Sequence, residues 1–110
     1  MLTETELAEF RELLSQERLE LQARMKTLNR RMARDDHFVE AEDLGDSANQ
    51  VLMKEEMLFE HNQTAERLRS VDRALARIDN GSYGISSVSG KLIPVERLRA
   101  MPTATKLVNE

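Results

Sequence analysis

The chain has 110 residues, 33% of them charged, 40% hydrophobic and 4% aromatic, with a formal net charge of −4. That length bounds it to one domain or a domain with a small appendage, and the acidic balance lacks the basic excess by which duplex-binding proteins neutralise phosphates. With no cysteine there is neither a disulfide nor a thiolate metal site.

A capping box opens the first helix: Thr3 stands three residues before Glu6, so each can bond the other's backbone N–H. Leu7, Leu14, Leu21 and Leu28 then recur every seven residues, with Phe10, Met25 and Met32 on or beside the same stripe. No Gly or Pro interrupts the pattern, which runs to Arg34. A helix of that length needs a partner for its stripe.

The periodicity lapses through DDHFVEAEDLG, residues 35–45, and resumes with Asp46 or Ser47 as cap. The second stripe reads Val51, Leu58, Ala65, Leu68, Val71, Leu75 and Ile78. Asn80-Gly81 closes it, Gly81 serving as a left-handed stop. Two stripes of similar length predict a mainly α fold, an antiparallel helical hairpin (coiled coil) over 1–80 with its tip near 35–47. Gly45 and the lapse argue against one continuous helix.

Beyond Gly81 the pattern shortens. Tyr83–Ile85 and Lys91–Ile93 read as two short paired strands, and Pro94 suits the start of a helix from Val95 to Met101 that Pro102 stops. The tail to Glu110 is expected to be partly ordered at best. Residues 81–110 thus form a small C-terminal module.

Few residues offer chemistry. Arg24, Lys26, Arg30, Arg31 and Arg34 crowd the end of the first helix, and Asp35, Asp36, Glu40, Glu42, Asp43 and Asp46 follow. The plain reading is a solvated face, with bases at a helix C-terminus and acids capping the next helix. A functional reading is a basic collar behind an acidic tip. His37 and His61 have no metal-ligand spacing, and no nucleophile motif or phosphate-binding glycine loop is present. Acids on a hairpin tip are convex, whereas catalytic sites are concave, so no enzymatic activity is expected. No apolar run approaches the roughly 20 residues of a membrane span, and MLTETELAEF lacks the features of a signal peptide. A soluble cytoplasmic protein is expected.

The segment GSYGISSVSGKLIPVERLRAMP, residues 81–102, carries a frame in Tyr83-Gly84, Gly90, Ile93, Arg97-Leu98, Ala100 and Pro102. Upstream, Asp43, Asp46 and Ala48 spell DxxDxA at the expected turn. Together these resemble the DksA/TraR family of bacterial transcription regulators, whose C-terminal module is a zinc finger built on two cysteine pairs. The resemblance places Ser86 and Ser89 at the first pair, and Leu107 and Glu110 at the second, so this is a degenerate zinc finger from which no zinc is expected. Ile85, Val88, Leu92, Ile93, Leu98, Met101 and Leu107 are expected to replace the metal by apolar packing, each buried aliphatic contributing roughly 1.5–3 kcal/mol.

The resemblance further implies a protein that binds RNA polymerase through its secondary channel and modulates initiation with the acidic tip, Asp43, Asp46 and Ala48 carrying the effect. It implies no sequence-specific DNA binding, no membrane and a monomer. Some family members respond jointly with the alarmone ppGpp through basic residues; the matching helix positions here, Gln63 and Ser70, are not basic, which argues against alarmone dependence. The competing reading is a helical-hairpin interaction module that binds another protein, or fills the channel passively. Self-association of the leucine stripes into a four-helix dimer is a third.

Overall fold

A computed structural model describes residues 2–34 and 48–110. Three helices follow in order: α1, Glu4–Arg34; α2, Ala48–Asn80; and α3, Val95–Ala100. At 1.5 Å per residue the two long helices measure about 46 and 50 Å. The chain is therefore mainly helical, as its periodicity predicts.

Two helix ends are built from the anticipated residues. The Thr3 N–H donates to Glu6 Oε1 at 3.0 Å, and the Glu6 N–H to Thr3 Oγ1 at 3.1 Å. This closes the capping box and uses two of the four N–H groups that a helix start leaves unpaired. The hydrogen bond from Thr3 holds the Glu6 carboxyl below its ordinary pKa. At the end of α2, Gly81 takes φ +82° and the Ser82 N–H reaches back to the Arg77 carbonyl at 2.9 Å. That is the six-to-one bond of a Schellman stop, for which a glycine is the unstrained choice. The expected caps Asp46 and Ser47 lie outside the described residues.

The chain divides into two compact units: the residues up to Leu19 with Arg69–Glu110, and Glu20–Leu68. In the first, Arg11 pairs with Asp79 at 2.7 Å and Arg18 with Asp72 at 2.6 Å. Seven residues forward on α1 thus match seven back on α2, an antiparallel register. Exposed pairs of this kind add little stability, and packing does the main work. Phe10, Leu14, Val71, Ala74, Tyr83, Ile93, Leu98 and Ala104 are all buried in this unit. The Phe10 and Tyr83 rings meet at 5.6 Å between centroids with a 53° tilt, and Tyr83 Oη donates to the Pro102 carbonyl at 2.7 Å. Burial pushes the Tyr83 phenol up to about 12.

In the second unit, α1 and α2 are again antiparallel, with Arg24 on Glu60 at 2.9 Å and Asn29 bonded to His61 at 3.0 Å. Leu28 is buried, as are Lys54 and Thr64. Thr64 Oγ1 donates a hydrogen bond to the Glu60 carbonyl one turn back, at 2.8 Å. The α1 stripe faces inward throughout. The α2 stripe does not: Val51 and Leu58 are exposed, together with Leu52, Met53 and Phe59. Its heptad spacing holds only from Ala65 onward, because Lys54 takes the inward position in the preceding turns.

The two short strands expected around the serine-rich turn reduce to one antiparallel bridge, Ile85 with Leu92. It is flanked by Ser86 N–H to Lys91 O and Ile93 N–H to Gly84 O, each 2.8 Å. Gly84 is buried with φ +82°, and a Cβ there would meet Leu2 Cδ1 at 3.0 Å. A side chain there would strain the left-handed backbone and push the end of Leu2 aside. The tail is more ordered than its composition suggests. The Ser87 N–H donates to Thr105 O at 2.8 Å, Arg97 Nε to Lys106 O at 3.0 Å, and Ala104 is buried.

Candidate functional site

Two places carry the sequence-derived candidates. At the first, the fold brings three of the four degenerate ligand positions into direct contact and Ser89 beside them. The Ile85–Leu92 bridge turns Ser86 inward until it is 3% exposed. Its Oγ donates to Glu110 Oε1 at 2.7 Å and accepts the N–H groups of Val88 at 3.1 Å and Ser89 at 3.2 Å. One donor and two acceptor sites are all that a hydroxyl has, so Ser86 is saturated. The same Glu110 oxygen accepts the Leu107 N–H at 2.8 Å, and the Glu110 N–H donates to Leu107 O at 3.1 Å. The Ser86 bond, then the Leu107 bond, hold the Glu110 carboxyl below its ordinary pKa, with Ser89 and Lys91 contributing.

These residues do not fit zinc. The ion takes thiolate, imidazole or carboxylate, and of the four positions Glu110 alone offers one of them. Among the described residues no three His, Asp or Glu side chains converge. His61 is bonded to Asn29, and His37 lies outside the described residues. The expected apolar substitute is also smaller than anticipated. Ile93 and Leu98 are buried, but Val88, Leu92 and Met101 are 68%, 55% and 48% exposed. What occupies the middle of the knuckle is a polar cluster. The Ser86–Glu110 contact was missed because the four positions read as lost ligands; the equal three-residue spacing of Ser86–Ser89 and Leu107–Glu110 was the available signal.

At the second place, Ala48 is the exposed first residue of α2, while Asp43 and Asp46 lie outside the described residues. Arg24 is taken up by Glu60. Arg30, Arg31 and Arg34, with Thr27, Met53 and Met57, line a shallow depression of about 410 Å³. The acidic half of the charge contrast, from Asp35 to Asp46, is not among the described residues. Gln63 is exposed, and Ser70 accepts from Arg73 Nη2 at 3.3 Å. Neither presents the cation that an alarmone phosphate needs.

Among the described residues nothing at either place has the form of a catalytic centre. A cavity of about 310 Å³ in the first unit is walled by aliphatic side chains such as Leu2, Leu7 and Ile78. Tyr83 also borders it, but the phenol is committed to Pro102.

The structure of DksA2 from Pseudomonas aeruginosa superposes with a TM-score of 0.78 and 30% identity, covering 96% of this chain and 80% of that one. The chain belongs to the DksA family. No family model matches it. Among curated proteins, the uncharacterised protein YteA of Bacillus subtilis is 46% identical over 63 residues, 57% of this chain and 26% of YteA. The RNA polymerase-binding transcription factor DksA of Caulobacter vibrioides is 35% identical over 66 residues, 60% of this chain and 46% of that protein. The matched stretch is thus a quarter to about half of the curated relatives' length. Those DksA proteins with a functional name are transcription factors, not enzymes, which agrees with the absence of catalytic motifs. Among the described residues no helix is long and apolar enough to cross a membrane.

Proposed function

We propose that this DksA-family chain regulates transcription by binding RNA polymerase directly, entering its secondary channel and modulating initiation with the acidic tip. The observation that carries the reading is the extent of the likeness: it spans 96% of the chain, so both long helices and the C-terminal module are shared with a transcription factor. Asp43, Asp46 and Ala48 are the residues assigned the effect. Two carboxylates confined in a narrow, partly desolvated channel act more strongly than they would on a free surface. Ala48, small and exposed at the head of α2, allows close approach. The chain acts without metal, as a monomer and without reading DNA sequence.

The test is transcription in vitro with purified polymerase, comparing the wild type with Asp43→Asn/Asp46→Asn. The double variant is expected to keep its affinity for polymerase and lose its effect on promoter output. Wild-type protein that neither binds polymerase nor alters output overturns the reading. Wild-type protein that binds but changes output no more than the double variant favours passive occupancy, the interaction-module alternative, for which the exposed Leu52 and Phe59 offer contact surface.

A further inference from the structure

We propose that the Glu110 carboxylate, clasped by Ser86 and the Leu107 amide, performs the closure that a metal ion performs in a knuckle of this layout, so that protonation rather than metal supply controls whether the module is shut. A metal in such a site fixes four side chains from two turns to one centre. Here one carboxylate oxygen joins the same two turns, by Ser86 Oγ at 2.7 Å and the Leu107 N–H at 2.8 Å. On the far side Ser86 Oγ gathers the Val88 and Ser89 amides, as a ligand atom at a turn does. Backbone bonds brace the arrangement from both directions: Ser87 N–H to Thr105 O, Ser86 N–H to Lys91 O, and Gly90 N–H to Ser86 O at 3.0 Å. The clasp therefore sits where segment 86–91 meets the tail.

The charged groups around the carboxylate favour its ionised form. Lys91 from the turn and Arg97 from α3 line the same depression as Glu110, and no other acidic side chain lines it. Ionised, the carboxylate only accepts hydrogen bonds, as its two partners require; protonated, it is a poorer acceptor. The sign follows. A carboxyl held below its ordinary pKa stabilises the closed form above the ordinary carboxylate range and loses that contribution as the pH falls through its folded value. The direction is the one found for Glu110. A module closed in this way is indifferent to chelators and has no thiol to oxidise.

The experiment is amide hydrogen exchange by NMR on the full chain, read as protection factors at Val88, Ser89 and Leu107, with α2 amides near Val71 as the folding control. Ser86→Ala and Glu110→Ala are each expected to lower protection at these amides by about fivefold or more, leaving the α2 control unchanged. The double variant is expected to fall no further than the worse single one, because the two groups act through one contact. Glu110→Gln retains an acceptor without the charge; its protection is expected to be flat on acidification, whereas that of the wild type falls. A chelator is expected to change nothing. The proposal is overturned if Glu110→Ala leaves the three amides as protected as before, if wild type and Glu110→Gln respond alike to acid, or if chelation opens the wild-type module. None of these readouts depends on polymerase.

Discussion

Tyr83 packs its ring on α1 and bonds its hydroxyl to Pro102 within the C-terminal module, and Tyr83→Phe tests the second of these with the loss of one oxygen. The ring, packed on Phe10 at 5.6 Å, stays; the hydroxyl bond to the Pro102 carbonyl goes, leaving that acceptor without its partner. A neutral bond of this kind contributes about 1 kcal/mol, and an abandoned acceptor raises the cost to about 1–2 kcal/mol. For a chain of this size that is a fall in Tm of about 5–10 °C, measured by circular dichroism at pH 7. The pH dependence is a second, independent reading. The folded phenol is pushed from 10.0 up to about 12, so its contribution is complete below pH 10 and disappears as pH rises towards the folded value. The chain has one tyrosine and no tryptophan, so phenolate absorbance reports Tyr83 alone. The native protein is expected to ionise near pH 12, or in one step with loss of helix if alkali unfolds it first, and the chain in denaturant near pH 10. A phenol that titrates near 10 with the helices intact, or a Tyr83→Phe variant as stable as the wild type, would refute the account of this residue.

Two other predictions concern the cores. Leu98→Ala removes a fully buried side chain from the short α3 and is expected to cost about 2–5 kcal/mol in chemical denaturation, whereas Leu92→Ala, 55% exposed, is expected to stay within about 0.5 kcal/mol. Native-state hydrogen exchange is expected to show α2 amides near Val71 and Ala74 as better protected than those near Val51 to Leu58, where exposed apolar residues replace a packed stripe; equal protection along the helix would contradict that reading of the packing.

The long helices were legible because their signals are local. A capping box and an Asn-Gly stop each act within one turn and are present with their expected bonds, and the leucine heptad repeats along a single helix. The α1 stripe could be read for the same reason. The first half of the α2 stripe could not, since Val51 and Leu58 obey the spacing yet face outward while Lys54 faces in. Periodicity fixes which residues share a face, and only the tertiary partner decides which face is buried. The module was legible in its turns and not in its bonds. Gly81, Gly84 and Gly90, all with positive φ, announce where the chain reverses. That Glu110 bonds Ser86 across 24 residues depends on a tail path that no short pattern encodes. The acidic tip was legible as a motif alone, and its geometry lies outside the described residues.

The contrast between the two ends of the module's sequence bears on how such a frame persists without thiolates. A zinc site concentrates its contribution in one centre, so losing the ligands from an otherwise poor core leaves nothing to fold around. In this chain the load is already spread. Leu98 and Ile93 are buried, Tyr83 is anchored to Pro102, and Arg77 at the end of α2 donates to the Ser82 carbonyl at 3.0 Å and to that of Ile85. Each of these contacts reaches the turns from a side other than the ligand positions. With the turns braced from outside, the centre has one task left, joining the tail to segment 86–91, and a serine and a glutamate perform it. Among the described residues no buried side-chain nitrogen or oxygen is left without a partner. The surrounding contacts thus hold the turns, and the Ser86–Glu110 pair joins the tail to them.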